Sequence, residues 1–435
     1  MKKKNISIGI YLITILLLIL FGLFCMVLVY DYTDGKQISG RYGKYLTQMA
    51  RIPQKWFSKN TTKSQNKLTT IDRFIQKEVF YKDKNFTDTG YLLMSSYDEK
   101  AGQTTIKLIK LSDGSIIHTW KPDLEKIRAI NRPITAHFKP EKLNPDQFRV
   151  VHPLLLEDLK LLIKGEFGIY KLDSNSNIIW HKEGHYHHST EEDGNGNFWL
   201  ASVCEPSMLK NKLYKKIEDD AVVKIDAVGN ILFKKSIAEI LIENGYEYLI
   251  SGIGPIENDA IHVNDIEPVM YNSPYWSMGD IFINIRNRST LFLYRPSTNK
   301  ILWLKTGPWI NQHDISILPD SKIMLIDNHA ARINETDVEL IENRSFIFNY
   351  DFKNDSCFKV FDKFMANNNV QVLKEGRALL MSDGDIMLEE SVSGRILRGN
   401  DNTLHWSFIN KQQDNKVSTI QWSRYYSTIP SGNNN

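Results

Sequence analysis

Cysteine is scarce in this chain, with three in 435 residues. Cys25 lies inside an N-terminal apolar run, so Cys204 and Cys357 are the only pair open to an oxidising compartment, and no spacing motif joins them. Two buried free thiols are expected rather than a disulfide. Excess charge is lacking too: a net +3 is too small to specify a nucleic-acid or polyanion partner, and none is expected. Ordinary apolar, charged and aromatic contents exclude disorder and decide little else.

What is present begins with one long hydrophobic run. Met1 and three lysines precede Ile6–Tyr30, which is uncharged, mostly apolar and long enough to cross a hydrocarbon core of about 30 Å as a helix. No small-residue A-x-A site closes the run, which favours an uncleaved anchor over a signal peptide. The leading lysines favour a cytoplasmic N-terminus. The expected organisation is a basic tail over residues 1–5, an inner-membrane anchor over 6–30, a stalk over 31–85 and one folded domain over 86–430, periplasmic or extracellular. Within the stalk, Ile71, Phe74, Ile75 and Val79 are spaced as in a helix, so a short amphipathic helix is expected over Ile71–Phe80.

From about Tyr91 the chain reads as short strands separated by turn residues. One pattern returns six times: an apolar strand, a turn of Asp, Asn, Ser or Gly, then a strand ending in an aromatic residue. It occupies 109–120, 170–180, 223–233, 293–303, 348–361 and 395–406, a spacing close to one propeller blade. The turn residues cap their own backbone and tolerate positive φ, so each hairpin reverses tightly. Trp120, Trp180, Phe233, Trp303, Phe361 and Trp406 end the copies and are expected to bury apolar area between blades. The fold predicted is all-β, a six-bladed β-propeller.

A second hairpin precedes most copies, and its first strand often begins with histidine: His152, His188, His262 and His313. If that strand is innermost, histidines remote in sequence converge at one mouth of the central channel. Asn264 alternates with His262 and can share its face, and Arg286 ends the partner strand. Imidazole, guanidinium and amide together suit a tetrahedral oxyanion better than a cation, so no metal is expected there. His137, His152, His181 and His185 read as structural, and Asp314 as a turn or inter-blade contact.

The segments IHVNDIEP, GDIFINIRNRSTLFLYRPSTNKILWLKTGP and INQHDISILPDSKIMLIDNH, in this order, resemble the bacterial arylsulfate sulfotransferases. The resemblance is specific over residues 181–330, weaker over the other blades and absent from the anchor and stalk. It implies sulfuryl transfer without a nucleotide or other cofactor, from a phenolic sulfate ester to a phenol, through a sulfated histidine. It implies His313 as nucleophile, and His262 and His188 as the other channel histidines, with His187 the alternative to His188. It further implies Arg286 and Asn264 as holders of the sulfate oxygens. Ser189 stands where that family usually has an acid after the paired histidines. The insertion MYNSPYWSM offers Tyr271, Tyr275 and Trp276 as aromatic walls of the channel mouth. Two other classes remain open at this point: a non-catalytic propeller that binds or scaffolds, and a metal-dependent hydrolase using the histidines as ligands.

Overall fold

A computed structural model describes residues 8–33, 68–74, 80–131, 143–165, 167–215, 217–254, 256–333 and 338–431. Two compact units are distinguished, the second beginning at Lys67. In the first, Ile8–Thr33 forms one apolar helix, and its Gly9–Tyr30 portion is long and apolar enough to span a membrane. His137 lies outside the described residues.

The second unit is a propeller of six antiparallel sheets. Blade 1 contains Tyr91–Asp98, Gln103–Lys110 and Ile116–Trp120. Its innermost strand, Arg424–Tyr426, comes from the other end of the chain, so blade 1 closes the ring and no edge is left open between first and last blades. Blade 2 begins with Leu154–Leu155, blade 3 with His185–Glu192, blade 4 with Val263–Pro268, blade 5 with His313–Leu318 and blade 6 with Arg377–Leu380. The six hairpins recognised in the sequence fall in six different blades, as their turn chemistry requires. Asp113, Asp173, Asp226 and Asp351 each accept a backbone N–H two residues ahead.

Burial follows blade stacking. Second strands such as Phe198–Val203 and Ile281–Ile285 are buried on both faces and read as mostly apolar runs, each with one buried polar residue, Ser202 and Asn284. The outer strand Ile178–Glu183 alternates. Six apolar clusters fill the six junctions between blades; Phe282, Leu291, Ile315 and Leu325, for example, join blades 4 and 5. Trp120 and Trp406 are fully buried in two of them, and the other four terminal aromatics pack half-buried against the remainder.

The segment expected as a stalk contributes strands. Thr69–Ile71 pairs with Lys416–Ser418, and Phe80–Lys82 pairs with the outer strand Thr403–Ile409 of blade 6. Both ends of the helix expected over Ile71–Phe80 are therefore extended, while 75–79 lies outside the described residues. Ladder bonds with the propeller satisfy this backbone, and they outweigh a weak helical periodicity. Cys204 and Cys357 are both free thiols, Cys204 buried and Cys357 half-buried.

Around the channel each blade is tied to the next by a side chain that accepts a backbone N–H. His152 Nδ1 takes Thr190 N at 3.2 Å, Ser189 Oγ takes Ile266 N at 2.9 Å and Asp265 Oδ2 takes Ile315 N at 2.7 Å. Asp314 Oδ2 takes Ala378 N at 2.9 Å, Glu389 Oε2 takes Ser423 N at 2.6 Å and Gln421 Oε1 takes Val150 N at 2.6 Å. Asp314 thus makes the inter-blade contact expected of it, and also receives Arg377 Nε at 2.8 Å on its other oxygen. Asp314→Ala is expected to destabilise the propeller by about 3 kcal/mol, because it removes a buried carboxylate that accepts from both Ala378 N and the half-buried Arg377. Denaturant unfolding of the full chain in detergent measures this; a loss below about 1 kcal/mol would mean the tie is dispensable.

Candidate active site

At or near the start of every innermost strand one residue other than glycine has left-handed backbone: His152, His188, His262, Asp314, Glu375 and Trp422; in blade 3 the strand begins at His185, and His188 lies inside it instead of heading it as expected. In blades 3, 4 and 5 this residue accompanies a bulge, with the register shifting between His187 and Thr190, Val263 and Asp265, and His313 and Ile315. A bulge re-aims the side chains beside it, and backbone strain of about 1–3 kcal/mol per residue collects where surrounding structure enforces it. Here it gathers imidazoles from three blades.

The rings of His188 and His262 lie 4.9 Å apart between centroids, and those of His188 and His313 6.4 Å apart. Trp422 packs edge-on at 6.2 Å from His188 and 6.3 Å from His313. Arg286 is brought alongside because its backbone N–H donates to His262 O at 2.9 Å, and its Nη2 lies 3.7 Å from Asp259 Oδ2. His188, His262, His313 and Arg286 therefore share one site, with His187 stacked edge-on against His188 at 5.0 Å.

The hydrogen bonds assign tautomers. Asn328 Nδ2 donates to Val372 O and Glu375 O, both at 2.9 Å, so its Oδ1 must be the atom 2.7 Å from His313 Nδ1. An amide oxygen only accepts, so His313 carries its proton on Nδ1 and its lone pair on Nε2. That Nε2 is buried and has no hydrogen-bond partner among the described residues. His262 is arranged likewise, with Nδ1 donating to Asp259 Oδ2 at 2.9 Å and Nε2 buried and unpartnered.

Electrostatics keep the rings neutral. Burial, then the Arg286 charge, push His313 down to about 3. His262 is lowered by the same two causes, with Asp259 opposing them. Burial and then the neighbouring histidines hold His188 well below the usual imidazole range. Arg286 is lowered only to about 10 by its burial and stays charged at neutral pH. The site thus holds neutral imidazoles beside a permanent cation. A partly open cavity of about 130 Å³, lined by Arg149, Lys164, His185, His187, His188 and Glu375 among others, adjoins it.

Four expected contributors are placed differently. Asn264 is fully buried, and its Nδ2 donates to Gln312 O at 2.7 Å, so the amide braces the residue before His313 instead of facing a substrate. The bulge at this position breaks the simple alternation that would align it with His262. Tyr275 and Trp276 leave from Pro268, the far end of the strand that His262 precedes, and at about 3.3 Å per residue that strand separates them from the histidines. There Trp276 is buried against Phe282 and Phe352, Tyr275 lies 5.7 Å from Phe352, and Tyr271 donates to Leu318 O at 2.7 Å. The sequence reading also missed Asn328, Asp259, Asp220 and Trp422. Asp259 alone had a local signal, its Asp-x-x-His spacing to His262.

A family model described as Arylsulfotransferase (ASST) matches residues 152–411, more than half of the chain. The match begins at His152 and contains His188, His262, Arg286, His313 and Asn328. No curated protein matches the chain. Among solved structures it is similar to a protein of unknown function from Bacteroides caccae, with 10% identity, 78% of this chain and 99% of that one covered, and a TM-score of 0.49. It is also similar to the periplasmic gluconolactonase PpgL of Pseudomonas aeruginosa, at 11% identity over 78% of this chain and 99% of that one, with a TM-score of 0.41. At these scores neither likeness bears on the argument.

Proposed function

The chain belongs to the arylsulfotransferase family, and from that premise we propose that it moves a sulfuryl group from a phenolic sulfate ester to a phenol through a covalent sulfohistidine at His313. The observation that carries this reading is the fixed tautomer of His313: a neutral, buried imidazole whose unpartnered Nε2 lies in a site with charged Arg286. The Nε2 lone pair attacks sulfur, the bond from sulfur to the aryl oxygen breaks, and its electron pair leaves on the phenolate. A phenol acceptor's oxygen then attacks that sulfur, the bond from Nε2 to sulfur breaks, and its electron pair returns to His313. Splitting one hard transfer into two easier ones is the use of a covalent nucleophile. Arg286 offsets negative charge on the sulfuryl oxygens, and His188 exchanges the proton of the phenols.

The partly open cavity beside the histidines supports catalysis over a sealed scaffold. The apolar helix Ile8–Thr33, preceded by Lys2, Lys3 and Lys4, supports anchoring in the membrane with the propeller outside the cytoplasm. The test is a burst experiment on the full chain in detergent with 4-nitrophenyl sulfate. Without acceptor, phenol release should stop near one equivalent, and an added phenol should restore turnover; no release with any aryl sulfate sinks the reading.

The low proton affinity of His313 makes a pH prediction. A ring pushed down to about 3 is already neutral at pH 5, so the burst rate with 4-nitrophenyl sulfate should be flat from about pH 7 to about pH 5. A tenfold fall over that interval would place the nucleophile near the ordinary histidine value instead.

A further inference from the structure

Ser189 stands where the family resemblance leads one to expect an acid that would orient the preceding histidine, and its hydroxyl is engaged elsewhere, accepting Ile266 N in the tie between blades 3 and 4. His188 is instead oriented by its own neighbour. Its Nδ1 lies 2.8 Å from Nδ1 of His187, a hydrogen bond in which one ring must donate and the other accept. On its far side His187 Nε2 lies 3.2 Å from Asp220 Oδ1, a close approach off the hydrogen-bond axis. Asp220 is held in turn by Val263 N, which donates to its Oδ2 at 3.1 Å. His185 and Glu218 also face His187, His185 with its ring centroid at 5.7 Å.

The two histidines differ in what they can hold. His188 is buried among the neutral rings of His262 and His313 and feels the charge of Arg286, which opposes a second proton there. His187 is more exposed and sits beside the Asp220 carboxylate, 3.2 Å from its Nε2.

We infer that Asp220, His187 and His188 form a proton relay that serves the sulfuryl transfer proposed above and rests on that reading. In the first half-reaction the departing phenolate takes the proton from His188 Nε2. His188 Nδ1 takes one from His187 Nδ1, and His187 is left neutral with its remaining proton on Nε2, toward Asp220. In the second half-reaction the acceptor hydroxyl gives its proton to His188 Nε2, and the Nδ1 proton of His188 returns to His187, whose positive charge lies against Asp220. Over the cycle one proton passes from acceptor to released phenol, and the relay ends as it began. His188 is the catalytic group, and His187 and Asp220 act through it.

The test is the dependence on leaving group. A strongly basic phenolate, from phenyl sulfate, needs the proton in the transition state; 4-nitrophenolate hardly does. In His187→Phe and in Asp220→Asn, phenol release from phenyl sulfate is expected to fall by roughly 10²-fold. Release of 4-nitrophenolate should fall by no more than about 10-fold. Either variant suffices if the other fails to fold. Equal losses with both esters, with His313 still becoming sulfated, would overturn the relay and leave the transfer reading standing. Failure of the unmodified chain to sulfate His313 removes both.

Discussion

Replacing His313 by asparagine is expected to lower sulfuryl transfer by roughly 10⁴- to 10⁶-fold, the range seen when a covalent nucleophile is removed from a preorganised site. The loss should appear in both half-reactions, since neither the sulfated intermediate nor its breakdown exists without Nε2. The fold should survive, because the ties between blades run through Asp314, Asp265 and Ser189, not through the His313 ring. His313 meets the protein through Asn328 Oδ1 and, at 3.2 Å, through Asn311 O. A near-native melting temperature with no burst is the predicted pair of results. A burst retained in His313→Asn would move the nucleophile to His262, whose Nε2 is also buried and unpartnered among the described residues.

The second large effect belongs to Arg286. Removing one preorganised donor from an oxyanion site typically costs about 2.7–4 kcal/mol of transition-state stabilisation, or about 10²–10³ in rate. Arg286→Gln should show that loss mainly in kcat, if the guanidinium meets charge that develops as the bond to the phenolate breaks. Its removal also takes away a cause of the low proton affinity of His313 and His262. The burst rate of the variant should therefore fall at a higher pH than in the unmodified chain. Arg286→Lys should restore little, because an ammonium lacks the planar fork and is itself easily neutralised by burial. Full activity in Arg286→Gln would contradict the site as described.

The architecture was legible because turn chemistry repeats. Asp173 and Asp226 close equivalent hairpins by equivalent bonds, and an aromatic residue, Trp180 or Phe233, ends each of these copies. The convergence of His188, His262 and His313 was legible for the same reason, since residues at the start of equivalent inner strands must share one mouth. What alternation could not resolve was the bulge. It turned Asn264 toward Gln312 and set His187 behind His188, neither of which follows from a regular period of two. Tyr275 and Trp276 were misplaced because aromatic content marks burial without saying which end of a strand a loop leaves from. Asn328, Asp220 and Trp422 reach the histidines across long stretches of sequence, and no local pattern announces such contacts.

The most direct measurement is the location of the sulfuryl group. The full chain in detergent is mixed with 4-nitrophenyl sulfate in the absence of acceptor, quenched at neutral pH and mapped by peptide mass spectrometry. The account predicts one added SO₃ group on the peptide that contains His313, absent from His313→Asn and discharged on adding a phenol. Release of the phenol with no covalent adduct, or an adduct on His188 or His262 with His313 unmodified, would contradict it.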